Sequence, residues 1–301
     1  MKKHHESDEI QIEARRALIY MATGDSTNQQ VLVEAGVASI IVTSLKKLTK
    51  KGSSTHLCDC ILLLIVLAEN SDECRIAIAK TGAIAAIVAL LKQYAAATSE
   101  APLLLKCCQA LSFLGLTTVN QALLVQDGAA SAMIEVLKKH GDDESVQSEC
   151  WAVLRCMVVE ATNLKQMDAE LLLNSIVATM KTKKFQTHSN IQEHGCFIIS
   201  CLSEGTPASR ASVAKLALPV VVTAMKAHAD FADLQTYACR AIGNLGGLNA
   251  DASTSSLVND SGTLSPRPPA FPCSSHQCMV LIPSTRIVHP IHTHCSYHFT
   301  R

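Results

Sequence analysis

The stretch VLVEAGVASIIVTSLKK at residues 31–47 decides the fold, because two other stretches of the chain align with it without a gap. These are IAIAKTGAIAAIVALLKQ at 76–93 and ALLVQDGAASAMIEVLKK at 122–139. Self-similarity at a fixed period of about 20–50 residues is the sequence signature of a repeat architecture. The chain is therefore predicted to fold as a row of stacked structural repeats.

Each copy has a glycine at the same place, and Gly36, Gly82 and Gly128 recur at one constant spacing. A short helical pattern ends at the glycine, which can adopt the left-handed conformation that terminates a helix. A second helical pattern begins directly afterwards and ends in lysine, whose charge opposes the partial negative charge of a helix C-terminus. Each copy thus predicts a short helix, a sharp turn and a second helix.

A longer third helix completes each unit. Its apolar residues recur at positions i, i+3, i+4 and i+7 and cover more than half of the helix surface. A helix that is this apolar has to be sandwiched between neighbouring helices. Six segments show the pattern, namely 10–23, 56–69, 103–116, 146–159, 191–204 and 234–247.

The predicted organisation is a partial repeat followed by five full ones. The unit at 163–206 is the weakest of them, because it lacks the glycine between its first two helices. The third helix of the partial repeat takes residues 8–24, and the full repeats are 26–70, 71–117, 118–162, 163–206 and 207–249.

Composition limits the classes of partner and compartment. With 26 Lys plus Arg against 26 Asp plus Glu, no overall charge attracts nucleic acid or an anionic membrane. No apolar run reaches the length of a membrane span, and the N-terminal sequence lacks the apolar core of a signal peptide. A cytoplasmic protein is predicted, with the nucleus as a second location.

Most of the 13 cysteines lie inside helical patterns and are predicted to be small core residues.

The turn and third-helix motifs together resemble the armadillo repeat. That family has a short helix ending in (D/E)AG and a long helix containing AAWALxNL. The matching segments here are EAG at 34–36, TGAI at 81–84, DGAA at 127–130, WAVL at 151–154 and AIGNL at 241–245. The resemblance covers about residues 8–262 and implies an all-α fold, a right-handed α-solenoid. The similar HEAT repeat would imply the same architecture.

The resemblance also implies a binding groove on the concave side of the superhelix, lined by the third helices. In peptide-binding armadillo proteins an Asn ladder grips the peptide backbone there, and a Trp precedes each Asn by one helical turn. Only Asn244 keeps the Asn and only Trp151 keeps the Trp, so nuclear-import function is not carried over. The predicted partner-binding residues are Arg16, Tyr20, Gln109, Phe113, Trp151, Arg155, Phe197, Arg240 and Asn244.

The predicted groove is apolar and mildly basic. Its three arginines are expected on the surface, because arginine is seldom fully buried. Arg155 would repel a basic segment, so the expected partner is an apolar or acidic protein segment, extended or helical. Phe113, Trp151 and Phe197 either anchor that partner or belong to the core, and the sequence leaves both interpretations open.

After Gly262 the helical pattern stops. Residues 1–262 are predicted to form the repeat array, and 263–301 a Pro-, His- and Cys-rich disordered or aberrant tail. A zinc site is the alternative interpretation, because the tail contains residue types that bind zinc. Those residues are Cys273, Cys278, His292, His294 and Cys295. Their spacing fits no standard zinc finger, so neither a metal nor another cofactor is predicted.

No catalytic motif of the type GxSxG, GxxxxGK[ST], GxGxxG or HExxH occurs in the chain. The acidic residues Asp142, Asp143 and Glu144 precede a predicted helix, and capping that helix is their simplest role. The chain is therefore predicted to be a protein-binding scaffold or adaptor and not an enzyme. Two alternatives stay open. One is a regulatory armadillo fragment of a larger signalling enzyme, such as a kinase or ubiquitin ligase, and the other is a nuclear-import-type cargo adaptor.

Overall fold

The computed structural model describes residues 7–48 and 54–246, and within these ranges the chain forms helices and no strand. The α-helices are α1 (Asp8–Ala22), α2 (Ser26–Glu34), α3 (Val37–Leu48), α4 (Ser54–Ala68), α5 (Asp72–Lys80), α6 (Ala83–Tyr94), α7 (Ala101–Leu114), α8 (Thr118–Gln126), α9 (Ala129–Lys139), α10 (Glu144–Met157), α11 (Ala161–Leu164), α12 (Ala169–Lys181), α13 (Ser189–Leu202), α14 (Pro207–Ala227) and α15 (Ala232–Gly246). Short 3-10 turns at Thr98–Glu100 and Lys183–Phe185 precede α7 and α13.

The helices follow one another as the predicted triplets. The first full repeat is α2, α3 and α4, and the next two repeat that order through α7 and α10. The third helices α1, α4, α7, α10, α13 and α15 pack side by side in chain order. One continuous hydrophobic core extends from Ala22 to Leu245. The predicted helix triplets are confirmed in the first three full repeats.

Glycine makes the turn between the first and second helices in the first three full repeats. Gly36, Gly82 and Gly128 have φ angles of 78°, 81° and 77°. This left-handed conformation costs other residues about 1–2 kcal/mol. The turns predicted from the repeated glycine are therefore confirmed.

The lysines at the ends of the second helices reach into the following repeat. A Cβ placed on Gly82 would lie 4.0 Å from Lys46 Nζ, and one on Gly128 would lie 3.2 Å from Lys92 Nζ. Each ammonium group lies beside the turn that follows the next first helix, near the partial negative charge of that helix's C-terminus. Lys46 and Lys92 thus each lie against the turn of the following repeat.

The last two repeats depart from the pattern, because each lacks the turn glycine. The helix α11 is a single turn of four residues, in the unit predicted to be the weakest. In the final unit the first and second helices are fused into α14, which has 21 residues and contains Pro219. The prediction of an ordinary full repeat is wrong there, since no glycine between Pro207 and Ala227 can make the left-handed turn.

The fusion makes α14 long enough to resemble a membrane span. The segment Ala208–Ala227 has a mean hydropathy of 1.3, so it is long and apolar enough to cross a membrane by length and composition alone. The prediction that no apolar stretch reaches this length is therefore wrong. Val213, Ala217, Val221 and Ala224 of this helix are buried in the core, at the spacing of a helix that packs one face on its neighbours.

Candidate functional site

The third helices form one layer, and α4, α7 and α10 each leave a stripe of side chains partly exposed. On α7 the stripe contains Leu105, Gln109 and Phe113, which are four residues apart and lie on one helix face. We call the corresponding stripes of α4, α7 and α10 the open third-helix surface. Its half-buried members are Cys58, Asp59, Leu62, Ile65, Leu105, Lys106, Gln109, Phe113, Ser148, Glu149 and Ala152.

Polar groups cross the open third-helix surface from α7 to α10. Lys106 Nζ donates a 3.3 Å hydrogen bond to Gln109 Oε1, and the Gln109 side chain is hydrogen-bonded to Glu149. Burial raises the pKa of Glu149, whereas Gln109 and Lys106 lower it. Burial also raises the pKa of the Cys58 thiol, and the neighbouring Asp59 acts in the same direction. The surface thus combines apolar side chains with a short polar line and has no excess of positive charge.

Nearer the C-terminus, the Arg155 side chain on α10 contacts the next two third helices, α13 and α15. Its Nη1 forms an ion pair with Glu193 on α13, and its Nη2 donates a 2.9 Å hydrogen bond to the Tyr237 hydroxyl on α15. The guanidinium carbon lies 4.4 Å from the ring centroid of Phe197 and 5.0 Å from that of Tyr237. The two rings meet edge to face with their centroids 5.0 Å apart. We call Arg155, Glu193, His194, Phe197 and Tyr237 the arginine cluster.

The charges in the arginine cluster neutralise each other. Arg155 is 8% exposed and Glu193 is 5% exposed, so each ion has lost most of its hydration and depends on the other. His194 Nδ1 lies 3.3 Å from Arg155 Nη1. Burial, the Arg155 charge and His188 lower the pKa of His194 to about 3, so the neutral ring can accept a hydrogen bond from Arg155. Burial raises the pKa of Tyr237, although Arg155 lowers it, and the hydroxyl stays protonated as a partner for the guanidinium.

The expectation that Arg155 lies on the surface is wrong. Its ion pair with Glu193 and the faces of two aromatic rings compensate the guanidinium for lost water. Of the aromatic residues whose role was left open, Trp151 is fully buried and Phe197 is 5% exposed, so both are core residues. The basic part of the predicted groove therefore does not form around Arg155.

The other predicted groove residues separate into two groups. Arg16, Tyr20 and Arg240 are exposed, with Tyr20 the most accessible at 83%. Gln109 and Phe113 are half-buried and belong to the open third-helix surface. The nine predicted residues are thus not one continuous patch, and their role in binding stays a prediction.

The one Asn at a ladder position is engaged inside the protein. Asn244 Nδ2 donates a 3.2 Å hydrogen bond to the Ser200 carbonyl oxygen on the preceding third helix.

The sequence analysis did not identify Glu193 and Tyr237 as partners of Arg155. They are separated from it by 38 and 82 residues. The one available signal was that an arginine in an apolar helix needs an acidic partner, and Glu193 lies on the next third helix.

The described residues contain no group of three or more His, Cys, Asp or Glu side chains that could hold a metal ion. Asp143 Oδ1 accepts a 3.0 Å hydrogen bond from the Val146 amide, which confirms the capping role predicted for the acidic residues. His140 Nε2 lies 3.0 Å from the Ala95 carbonyl oxygen and links consecutive repeats. The tail segment 263–301, with its zinc-type residues, lies outside the described residues.

The cysteines of the described helices are mainly core residues, as predicted. Seven of these ten are buried, and Cys239 is exposed. Burial raises the pKa of Cys60 to about 11 and that of Cys196 to about 12. Such thiols stay protonated and are poor nucleophiles.

Neither a family model nor a curated protein matches the chain, but designed repeat proteins of known structure do. An engineered protein aligns with a TM-score of 0.71 at 20% identity, over 85% of this chain and 58% of its own. A designed armadillo repeat protein in complex with the peptide (KR)4 aligns with a TM-score of 0.64 at 18% identity, over 77% of this chain and 92% of its own. A computationally designed armadillo repeat protein for modular peptide recognition aligns with a TM-score of 0.66 at 18% identity, over 80% and 95%. The chain therefore has the all-α solenoid fold of the armadillo repeat.

Proposed function

We propose that the chain is a protein-binding scaffold or adaptor, without catalytic activity, that binds its partner on the open third-helix surface. The observation that carries this proposal is the row of apolar side chains that stay partly exposed on neighbouring helices. They are Leu62 and Ile65 on α4 and Leu105 and Phe113 on α7. An exposed apolar patch of this kind favours association with another chain.

The partner that best fits this surface is an apolar segment, extended or helical. A strongly acidic partner would need unpaired arginines on this surface, but Arg155 is paired with Glu193, and Arg16 and Arg240 lie outside it on α1 and α15. A partner carboxylate would also meet Glu149 on the open third-helix surface, where like charges repel.

A peptide partner is supported by the designed armadillo repeat protein that forms a complex with (KR)4. A basic peptide is nevertheless not our proposal for this chain. The only ladder asparagine, Asn244, already donates to Ser200 and is not placed to grip a peptide backbone. A fluorescence titration with a Lys-rich peptide tests the cargo-adaptor alternative, and micromolar binding would favour that alternative.

A peptide-display selection on the full chain tests the proposal directly. Ala152→Arg places a long side chain on the open third-helix surface, whereas Ala85→Arg places the same side chain on the exposed face of α6. We expect the selected peptides to be rich in apolar residues and to bind the wild type and Ala85→Arg equally. Their affinity for Ala152→Arg should fall by about tenfold or more. Selected peptides that bind Ala152→Arg as well as the wild type would contradict the proposed site.

A further inference from the structure

Exposed apolar surface is concentrated at the N-terminal edge of the helix stack. Ile10, Tyr20 and Met21 on α1 are 42%, 83% and 54% exposed, and Val31 on α2 is 56% exposed. In the described part of the chain, the other large apolar side chains of comparable exposure lie singly on α8 and α12. This clustering distinguishes the edge from the rest of the described surface, because singly scattered apolar residues are ordinary and a cluster indicates an interaction site.

The cluster is open because α1 packs on one neighbouring third helix, whereas α4 lies between α1 and α7. Gln11, Arg15 and Ala22 are on the side of α1 that is buried in the stack. In α4, the positions that correspond to Ala17 and Met21 are Leu63 and Leu67, and both are fully buried. The open face of α1 therefore has the shape and polarity of a surface that another helix covers.

The residues on this open face form a symmetrical pattern. Ile10, Ala14, Ala17 and Met21 follow one another at helical spacing and make one stripe along α1. Large side chains are at both ends of the stripe and small ones are in the middle. When two such helices pair in opposite directions, Ile10 of one copy lies opposite Met21 of the other, and Ala14 lies opposite Ala17. The small pairs let the two backbones approach closely in the centre.

The charges beside the stripe are complementary in the same antiparallel arrangement. Glu13 and Arg16 form an ion pair at 2.9 Å within α1, and their side chains are 66% and 59% exposed. In the antiparallel pair, Glu13 of each copy lies beside Arg16 of the other, so each carboxylate gains a second cation. In a parallel pair the flanks that carry Glu13 and Arg16 lie on opposite sides of the interface, so this reciprocal pairing does not form.

We propose that two copies of this chain associate through antiparallel α1 helices. The stripe of Ile10, Ala14, Ala17 and Met21 forms the interface, and reciprocal Glu13–Arg16 pairs lie along its flank. The interface is isologous, because the same patch of both copies takes part and a closed dimer results. It uses no residue of the open third-helix surface, so it is independent of the proposed partner binding.

Sedimentation equilibrium of the full chain tests the association. We expect the wild type to form dimers and Ala17→Glu to raise the dissociation constant by about tenfold or more, because two added carboxylates meet beside Glu13. Val119→Glu, at an exposed position on α8, is the matched control and should dimerise like the wild type. Circular dichroism verifies that both variants keep their helices. A monomeric wild type, or equal dimerisation of Ala17→Glu, overturns the proposal.

A charge-exchange experiment distinguishes the antiparallel pair from other modes of association. Glu13→Arg alone and Arg16→Glu alone each place like charges along the flank, so each variant is expected to be monomeric. An equimolar mixture of the two should form heterodimers, because every flank pair then joins a cation to a carboxylate. Loss of the ion pair within α1 affects both variants equally and cannot produce this result. A mixture that stays monomeric overturns the antiparallel arrangement.

Discussion

Arg155 Nη2 donates a 2.9 Å hydrogen bond to the hydroxyl of Tyr237, which lies 82 residues later in the chain. The bond extends across α13, where Glu193 forms the ion pair with the same guanidinium. One side chain thereby connects three consecutive third helices. These helices belong to the part of the stack in which α11 is a single turn and α14 replaces two helices. The arginine cluster thus holds together the repeats whose first and second helices are irregular.

Removal of the guanidinium should therefore destabilise the fold. Arg155→Ala leaves the Glu193 carboxylate buried without a cation, and we expect the free energy of unfolding to fall by about 3–5 kcal/mol. Urea denaturation followed by circular dichroism measures the change. Arg240→Ala removes an exposed arginine of α15 and should change stability by no more than about 0.5 kcal/mol. If both variants unfold at the same urea concentration, the ion pair does not stabilise the fold.

Adding Glu193→Gln to Arg155→Ala tests the cause of that loss. The double variant leaves a neutral amide in place of an unpaired carboxylate, so part of the lost stability should return. A double variant that is less stable than Arg155→Ala would contradict an electrostatic origin. Such a result would assign the effect of Arg155 to its packing against Phe197 and Tyr237.

Stability should also decrease as the pH is lowered from about 6.5 toward 3, in part because of His194. In the unfolded chain its ring takes up a proton near its ordinary pKa of 6.5, whereas burial beside Arg155 keeps it neutral in the folded protein down to about 3. Protonation therefore favours the unfolded state between these values, and the stability is restored as the pH rises. The His194 side chain is only partly buried. We therefore expect the pH dependence of the unfolding free energy to correspond to the uptake of less than one proton on unfolding. His194→Asn should lose less stability than the wild type over this range, and equal slopes would contradict the assignment.

The regular part of the fold could be predicted from the sequence because its signals are local. Gly36, Gly82 and Gly128 each act within a few residues, and the lack of such a glycine also accounts for the fused helix α14. The binding surface was harder to predict, since a shift of one residue turns a helical side chain by about 100°. Arg155 was assigned to the groove from its place in the helix, but its exposure depends on Glu193 and Tyr237, on two other helices. Periodicity indicates which helix carries a residue and does not indicate which distant side chains neutralise it.

The turn glycines should be sensitive to the addition of a single methyl group. Gly128→Ala forces a side chain into the left-handed region at a φ of 77°, and we expect a loss of about 1–2 kcal/mol in the free energy of unfolding. Thermal melting measures the change. Gly141→Ala is the matched control, because a Cβ there meets nothing within 4 Å.

The source of the strain at Gly128 can be separated from the neighbouring lysine. The added Cβ would lie 3.2 Å from Lys92 Nζ, which is the end of a flexible side chain and can move away. Gly128→Ala should therefore remain destabilising in a Lys92→Ala background. Full recovery in that background would show that the contact and not the backbone conformation causes the loss.

The sandwiched position of α7 predicts a severe effect for a charge placed in its core face. Leu111 is fully buried, and Leu111→Asp introduces an unpaired charge that costs several kcal/mol, a large fraction of the stability of about 5–15 kcal/mol typical of a folded protein. A circular-dichroism melt should show extensive loss of helix, whereas Val119→Asp, at a position that is 55% exposed, should melt like the wild type. In a solenoid each repeat contacts only its neighbours, so hydrogen exchange should increase first in α4, α7 and α10 and later in α15. A Leu111→Asp variant that melts like the wild type would mean that α7 is not enclosed by α4 and α10, and the continuous core that defines the stack would then be incorrect.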